Sequence, residues 1–563
     1  MDTSHNFDTN HRLELVLDGD SLTVHDALQI LEVDSVLVRL APEVRPRMQA
    51  TRAGALAALA GGQRVYGWNQ ALGHLKDKLL STSEQQDFQL RILRSTAAGI
   101  GPMLPERVAR LALIIKANQL ARGTVGVRPE LPERILDIVN AGVVPCMPQI
   151  GSLGVGDLQP QAAAGLVLVG QDAPALYKGR KGPASQILAD AGVPTEFVLE
   201  AGEALPLISG GTVIAALQLD AARRAAALAN LSEGALALFM EATRADANSL
   251  DMRTHNERHI PEQNEVAGRL RTLTKGSDWM TDEGRKRLGE TESRIQDALS
   301  IRTAPHVFGA LRHSIIESYT IFQREANSST SNPLIFPRTD GPGYEFVMGG
   351  NWSSAVMGHA ADSLNAILAD VAVLSQELSA RLLCEKWSYG LPTSLTGGKP
   401  GLNSGMTHVQ TIATALIPEI QVRAAPSATL SRPAKFAQED HNTMAMASVR
   451  NLNENIDRLE IVLAVLLLMS AQGIDLILKD MEGLHLGLGT KMLHDVIRQH
   501  IPALHEDRYM TPEIEKMVDM VRNDGLWAAM GNAQDLLLTP AIRVTAARRR
   551  SRRAGTARRN QKV

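Results

Sequence analysis

Residues 360–387 read A-A-D-S-L-N-A-I-L-A-D-V-A-V-L-S-Q-E-L-S-A-R-L-L-C-E-K-W, and this stretch decides the fold. Leu364, Leu368, Val371, Leu374, Leu378 and Leu382 recur every three or four residues, so one helical face stays apolar over several turns. Similar spacing over 434–469 and 511–520 predicts further long helices, and the chain after Gly211 reads as a series of them. The composition agrees: Ala and Leu are abundant and aromatics are 4%. The expectation is a mainly α protein with a long central helical bundle and a smaller mixed α/β N-terminal part. In that part Leu13–Leu17 and Val36–Leu40 read as strands around Asp18-Gly19 turn chemistry. Shorter helices are predicted over 42–61, 83–98, 105–120, 131–140 and 161–169, and loops over 341–346 and 423–432. The expected boundaries are an N-terminal region (1–211), the bundle (212–475), a C-terminal helical region (476–545) and a basic disordered tail (546–563).

The totals narrow the function classes. Two cysteines, Cys146 and Cys384, cannot make a disulfide framework and fit a reducing, cytoplasmic setting. Met1 to Arg12 is polar, so no signal peptide is expected. The longest apolar run, Ile461 to Met469, has nine residues, whereas a membrane span needs about 20. No membrane role is expected. Net charge is −3, and the last sixteen residues hold eight basic side chains and no acidic one. The body before that tail is acidic, so a nucleic-acid role is not expected. No His/Cys/Asp cluster has metal-ligand spacing, so no metal site is expected.

The chemistry centres on residues 148–160, P-Q-I-G-S-L-G-V-G-D-L-Q-P. Gly151, Gly154 and Gly156 fall within six positions and precede Asp157, which suits a tight loop rather than a regular element. Around it stand L-R-I-L-R-S-T-A-A-G-I-G (90–101), A-N-Q-L-A-R-G-T-V-G-V-R-P-E (117–130) and N-A-G-V-V-P (140–145). Later come Q-D-A-L-S-I-R (296–302), N-S-S-T-S-N-P-L-I (327–335), G-G-N-W (349–352), P-G-L-N-S-G (400–405) and Q-E-D-H (438–441). In this order the blocks closely resemble the aromatic amino-acid ammonia-lyase family, which includes histidine, phenylalanine and tyrosine ammonia-lyases and aminomutases. The resemblance implies a fumarase/aspartase-like helical architecture, a small-molecule substrate, and a homotetramer whose active sites are each built from three subunits. The implied reaction removes ammonia and a β-proton from an α-amino acid.

That family makes its own electrophile, methylidene-imidazolone (MIO), from an Ala-Ser-Gly loop in the pattern G-S-V-G-A-S-G-D-L. Here residues 151–158 read G-S-L-G-V-G-D-L, one residue shorter. Val155 stands directly before Gly156, where the serine belongs, and valine has no hydroxyl to lose as water. Ser152 is not followed by Gly. The degenerate loop Gly154-Val155-Gly156-Asp157 is therefore expected to form no MIO, and no cofactor is expected. Other positions depart too: S-H-A reads Ser95-Thr96-Ala97, Ser209 replaces an Asn, Leu299 a Tyr, Trp352 a Phe and Ser353 a His.

The parts that hold substrate persist. By resemblance, Tyr66 takes the β-proton, Gln296 and Arg302 grip the carboxylate, and Glu439 faces an imidazole as in histidine lyases. Arg suits a carboxylate through its bidentate fork. A substrate whose amine is already quaternary needs no electrophile, because it leaves as neutral trimethylamine. Ergothionases, members of this family without MIO, are similar; they split ergothioneine into thiourocanate and trimethylamine. Trp352 and Trp68 are candidate walls for the trimethylammonium, a contact worth about 0.5–2 kcal/mol. A free Tyr has a pKa near 10, so the site is expected to lower that of Tyr66. The expected function is MIO-independent elimination of trimethylamine from ergothioneine or hercynine. The alternatives are a histidine or aromatic ammonia-lyase and a catalytically silent homologue with a binding role. Lys399, Arg423 and Lys435 remain open as thiolate-binding cations.

Overall fold

Strands Leu13–Leu17 and Val36–Leu40 lie parallel, in the register Leu13↔Val36 to Leu17↔Leu40. A parallel pair needs a crossover, usually a helix, and Val24–Glu32 supplies it. Thr23 caps that helix: its hydroxyl accepts from the Asp26 N–H at 3.0 Å, and the Asp26 carboxylate takes the Thr23 N–H at 2.9 Å. Its buried face, Val24, Ala27, Ile30 and Leu31, turns inward. In this computed structural model residues 12–523, apart from 293, and residue 526 are described; the expected tail from 546 lies outside them.

The chain divides into two units. The first comprises residues 12–221, 318–362 and 426–450. Besides the strand pair it holds helices Val44–Ala60, Thr82–Thr96, Glu106–Ala121, Glu130–Asn140 and Leu158–Leu168. Strand Pro148–Ile150 pairs antiparallel with Ile100–Met103 and delivers the chain into the glycine loop. The expected loop at 341–346 is instead half of a hairpin, in which Leu334–Pro337 pairs with Tyr344–Val347. Burial explains it: Tyr344 and Phe346 pack against the core of Ala55, Val65, Trp68 and Ile335.

The second unit comprises 222–317, 363–425 and the residues from 451. Four long helices run through this part of the sequence: Thr212–Ala242, Ala304–Glu325, Ala355–Leu382 and Ala445–Leu476. Within the unit, buried polar contacts tie them. Asn455 donates to Asn365 at 2.7 Å, Arg224 reaches Glu460 at 2.5 Å, and Arg312 reaches Glu233 at 2.7 Å. Breaking such a buried ion pair from one side typically costs about 3–5 kcal/mol. By length and apolarity residues 204–242 and 445–476 could cross a membrane, but 94% and 83% of their most apolar windows are buried inside the protein.

The mainly helical expectation holds, with local differences. Helix 360–387 ends at Leu382, where the Leu383 carbonyl accepts from the Ser394 N–H at 2.8 Å. The expected helix over 434–469 begins only at Ala445. Lys435, Phe436 and Ala437 are left-handed in succession, with φ of 50°, 55° and 61°. The Asn442 amide holds that loop, donating to the Arg432 carbonyl at 2.6 Å and the Glu439 carbonyl at 3.1 Å. Such side-chain bonds offer the backbone an alternative to a helix.

Candidate active site

The degenerate loop is clamped by three distant segments of its own unit. Gly154 and Gly156 have φ of +79° and +90°, and a Cβ on Gly154 would lie 2.1 Å from the Thr443 hydroxyl oxygen. Only glycine fits there. Ser152 Oγ accepts the Gly154 N–H at 3.1 Å and donates to Asp157 Oδ1 at 2.8 Å. The other Asp157 oxygen accepts the N–H groups of Val213 and Ile214 at 2.9 and 3.0 Å, in the first turn of helix Thr212–Ala242. A helix N-terminus is a natural seat for a carboxylate. Residues 352–354 run alongside: the Gly156 N–H donates to the Trp352 carbonyl at 3.1 Å and the Ser354 N–H to the Gly154 carbonyl at 2.9 Å. Thr443 Oγ1 donates to the Gly154 carbonyl at 2.9 Å. Val155 stands opposite Ser353 and is buried. The half-buried Trp352 is thereby fixed beside the loop.

Buried with the loop's own Asp157 are two ionisable groups that sequence reading passed over, Lys116 and Glu325. Lys116, on helix Glu106–Ala121, is buried and donates to the carbonyls of Pro206, at 3.3 Å, and Ser209. Burial pushes its pKa down to about 7, against the pull of Asp157 and Glu325. Burial pushes Asp157 up to about 6, opposed by its N–H and Ser152 partners. Glu325 rises to about 7 through burial and the nearby Asp157 charge. Between pH 7 and the ordinary lysine value of 10.5 the unfolded chain holds a proton on Lys116 that the folded chain lacks. Stability therefore rises with pH across that window. The shifts of Asp157 and Glu325 act below pH 7 and lower stability as pH rises towards it. Lys116→Met is expected to abolish the alkaline rise, a change of up to a few kcal/mol, as read from urea unfolding at pH 7.5 and 9.5. An unchanged slope would mean that Lys116 is not the group responsible.

Tyr66, Glu439 and Lys435 come together in the same unit. The Tyr66 phenol oxygen accepts the Gly73 N–H at 2.9 Å. Burial raises the Tyr66 pKa above 10, the Gly73 N–H pulls it back, and the Glu439 charge raises it again. Burial and Glu439 thus act against the expected lowering. Glu439 Oε1 pairs with Lys435 Nζ at 2.6 Å. The Lys435 stem lies over Gly73, 3.7 Å from where its Cβ would stand, and the rings of His74 and Phe436 meet at a tilt of 58° with centroids 4.7 Å apart. Sequence offered no placement for Lys435 beyond its spacing of four from Glu439.

Trp68 is placed elsewhere. It is 2% exposed, its ring meets Phe346 edge-on at 5.6 Å, and the Arg52 guanidinium sits 5.0 Å above it. A Cβ on Gly202 would come within 2.2 Å of that ring. Trp68 thus fills the core of the N-terminal unit.

Gln296 and Arg302 belong to the second unit. Gln296 is exposed, and Arg302 is half-buried at the end of the short helix Leu299–Arg302. Arg302 Nε donates to the Asp297 carbonyl at 2.9 Å. Among the described residues its terminal nitrogens meet no carboxylate, which leaves the fork free for one. Arg423, by contrast, is committed to Glu454 at 2.7 Å. No cluster of His, Cys, Asp and Glu able to hold a metal occurs among the described residues.

Comparison with known proteins fits this arrangement. The aromatic amino acid lyase model matches residues 22–499. A histidine ammonia-lyase of Geobacillus thermodenitrificans is 35% identical over 503 residues, covering 89% of this chain and 96% of that protein. The crystal structure of histidine ammonia-lyase from Trypanosoma cruzi superposes with a TM-score of 0.81 at 30% identity, over 94% of this chain and 97% of that one. Ergothionase from Treponema denticola shares the fold, with a TM-score of 0.84 over 91% and 99% of the two chains at 23% identity. With the family model matched over residues 22–499 and these relatives covered across nearly their whole length, the chain belongs to the aromatic amino-acid lyase family.

Proposed function

We propose that the protein is a carbon–nitrogen lyase that eliminates trimethylamine from ergothioneine without an MIO group. The observation that carries this reading is Val155 in the electrophile loop while Tyr66, Glu439 and Arg302 remain. In this reading the protein is a cytoplasmic homotetramer, and Arg302 and Gln296 hold the substrate carboxylate in sites shared between subunits. Trp352 faces the trimethylammonium. Tyr66, as phenolate, takes the β-proton; the C–H electron pair forms the alkene, and the C–N pair leaves with neutral trimethylamine. The substrate's own cation supplies the positive charge that the raised Tyr66 pKa requires.

The Glu439–Lys435 pair favours ergothioneine over hercynine. A 2-thioimidazole presents a ring N–H next to a sulfur that carries negative charge. Glu439 accepts the N–H and Lys435 meets the sulfur. A charge-assisted hydrogen bond is worth about 1.5–3 kcal/mol. Lys435→Met should therefore lower kcat/KM for ergothioneine by about 10- to 100-fold and leave hercynine unaffected; equal losses on both would remove Lys435 from sulfur recognition. The function itself is tested by incubating the purified protein with ergothioneine. Trimethylamine and the near-UV absorbance of thiourocanate should appear together, and no product from either betaine would sink the proposal.

A second reading draws on relatives that are histidine ammonia-lyases, one of them 35% identical over 503 residues. It has the chain releasing ammonia from histidine with another electrophile or none, and the assay for it is ammonia release from histidine.

A further inference from the structure

We propose that Arg294 is a positioning residue: it aims the Arg302 fork at the substrate carboxylate. This rests on the reading of Arg302 as the carboxylate grip, but not on which betaine is the substrate. Arg294 sits at the centre of the turn that carries both Gln296 and Arg302, and its side chain is 6% exposed. Its Nε and Nη2 straddle the Glu290 carboxylate at 2.6 and 2.5 Å, and Nη1 reaches Asp297 Oδ1 at 2.9 Å. Nη2 also donates to the Thr243 carbonyl at 2.8 Å, and the guanidinium carbon lies over the Tyr389 ring, 3.5 Å from its centroid. Every face of the Arg294 fork is thus used.

The consequence passes through Asp297. Its side chain is fully buried, and its carboxylate is held by Arg294 on one oxygen and by the Asp246 N–H, at 2.5 Å, on the other. Its main-chain carbonyl is the sole hydrogen-bond partner of the Arg302 side chain among the described residues. Nε of Arg302 is pinned there, so the direction of the two terminal nitrogens follows the Asp297 peptide, and that peptide follows Arg294. Gln296 lies between the two residues in sequence. Lysine at 294 keeps one charge but has no planar fork with which to hold Glu290, Asp297 and the Thr243 carbonyl together. The turn then loosens while Arg302 itself stays intact.

The test separates positioning from general loss of structure. Imidazolepropionate and its amide, which differ only in the carboxylate, are titrated calorimetrically into the tetramer or whatever assembly the full chain forms. Wild type should bind the acid better than the amide. Arg294→Lys should weaken the acid by about tenfold and leave the amide within twofold, with far-UV circular dichroism and melting behaviour retained. Tyr389→Phe keeps the stacked ring and should bind as wild type does. Equal weakening of acid and amide would make Arg294 merely structural. An unchanged acid affinity, or a wild type with no preference for the acid, would also overturn the proposal. If the variant fails to fold, Glu290→Gln, which removes one charge from the same lock, must show the same acid-selective loss. A wild type that prefers the acid yet turns over no betaine would refute the proposed function and leave this inference standing.

Discussion

Tyr66→Phe should lower kcat for trimethylamine release by about 10²–10⁴-fold, the usual contribution of a positioned base. The fold should survive. The phenol oxygen accepts one bond, from the Gly73 N–H in a partly exposed loop, and water can replace it there. The pH profile adds a signature. Burial and Glu439 hold the Tyr66 pKa above 10 in the free protein. The active form is the phenolate, so kcat/KM should climb with pH through the neutral range and show no plateau below pH 10. Residual activity of the variant should lack that climb. A wild-type kcat/KM that is flat from pH 7 to 9, or a variant that keeps most of its activity, would take the base role away from Tyr66.

The second large effect belongs to Arg302→Met. The unpaired fork can make two charge-assisted bonds to one carboxylate, each worth about 1.5–3 kcal/mol. Their loss should lower kcat/KM by about 10²–10⁴-fold, mainly through KM, because the grip holds ground state and transition state alike. Arg302→Lys should recover part of that, since it restores the charge without the fork. A large fall in kcat at unchanged KM would assign Arg302 to the chemical step instead.

Most of the fold was legible because its signal is periodic. The apolar face of 364–382 and the Glu130–Asn140 helix follow their sequence spacing closely. The misreadings share a cause in tertiary context. The segment 434–444 has helical composition, but Asn442 and three left-handed residues hold it as a loop. Lys116 sits in I-I-K-A-N, where a lysine reads as a solvent-facing helix position, yet it is buried against carbonyls from another segment. Trp68 had the right residue type for a cation wall, and its cation turned out to be Arg52.

The site was legible in a different way. Tyr66, Glu439 and Arg302 had no local signature of chemistry, and only the ordered blocks of the family picked them out. Val155 was legible from resemblance and chemistry together: the family pattern puts a serine there, and a side chain without a hydroxyl cannot dehydrate. The contact of Lys435 with Glu439 and the lock formed by Arg294 needed coordinates, because their three- and four-residue spacings fall in a loop and a turn rather than on a helix.

The central claim is that the leaving group, rather than an enzyme-made electrophile, solves the problem of departure. Ergothioneine and 2-thiohistidine test it most directly, because they share ring and carboxylate and differ only in the methylation of the amine. The account predicts trimethylamine from the first and no ammonia from the second under the same conditions. Ammonia released from 2-thiohistidine at a comparable rate would contradict it.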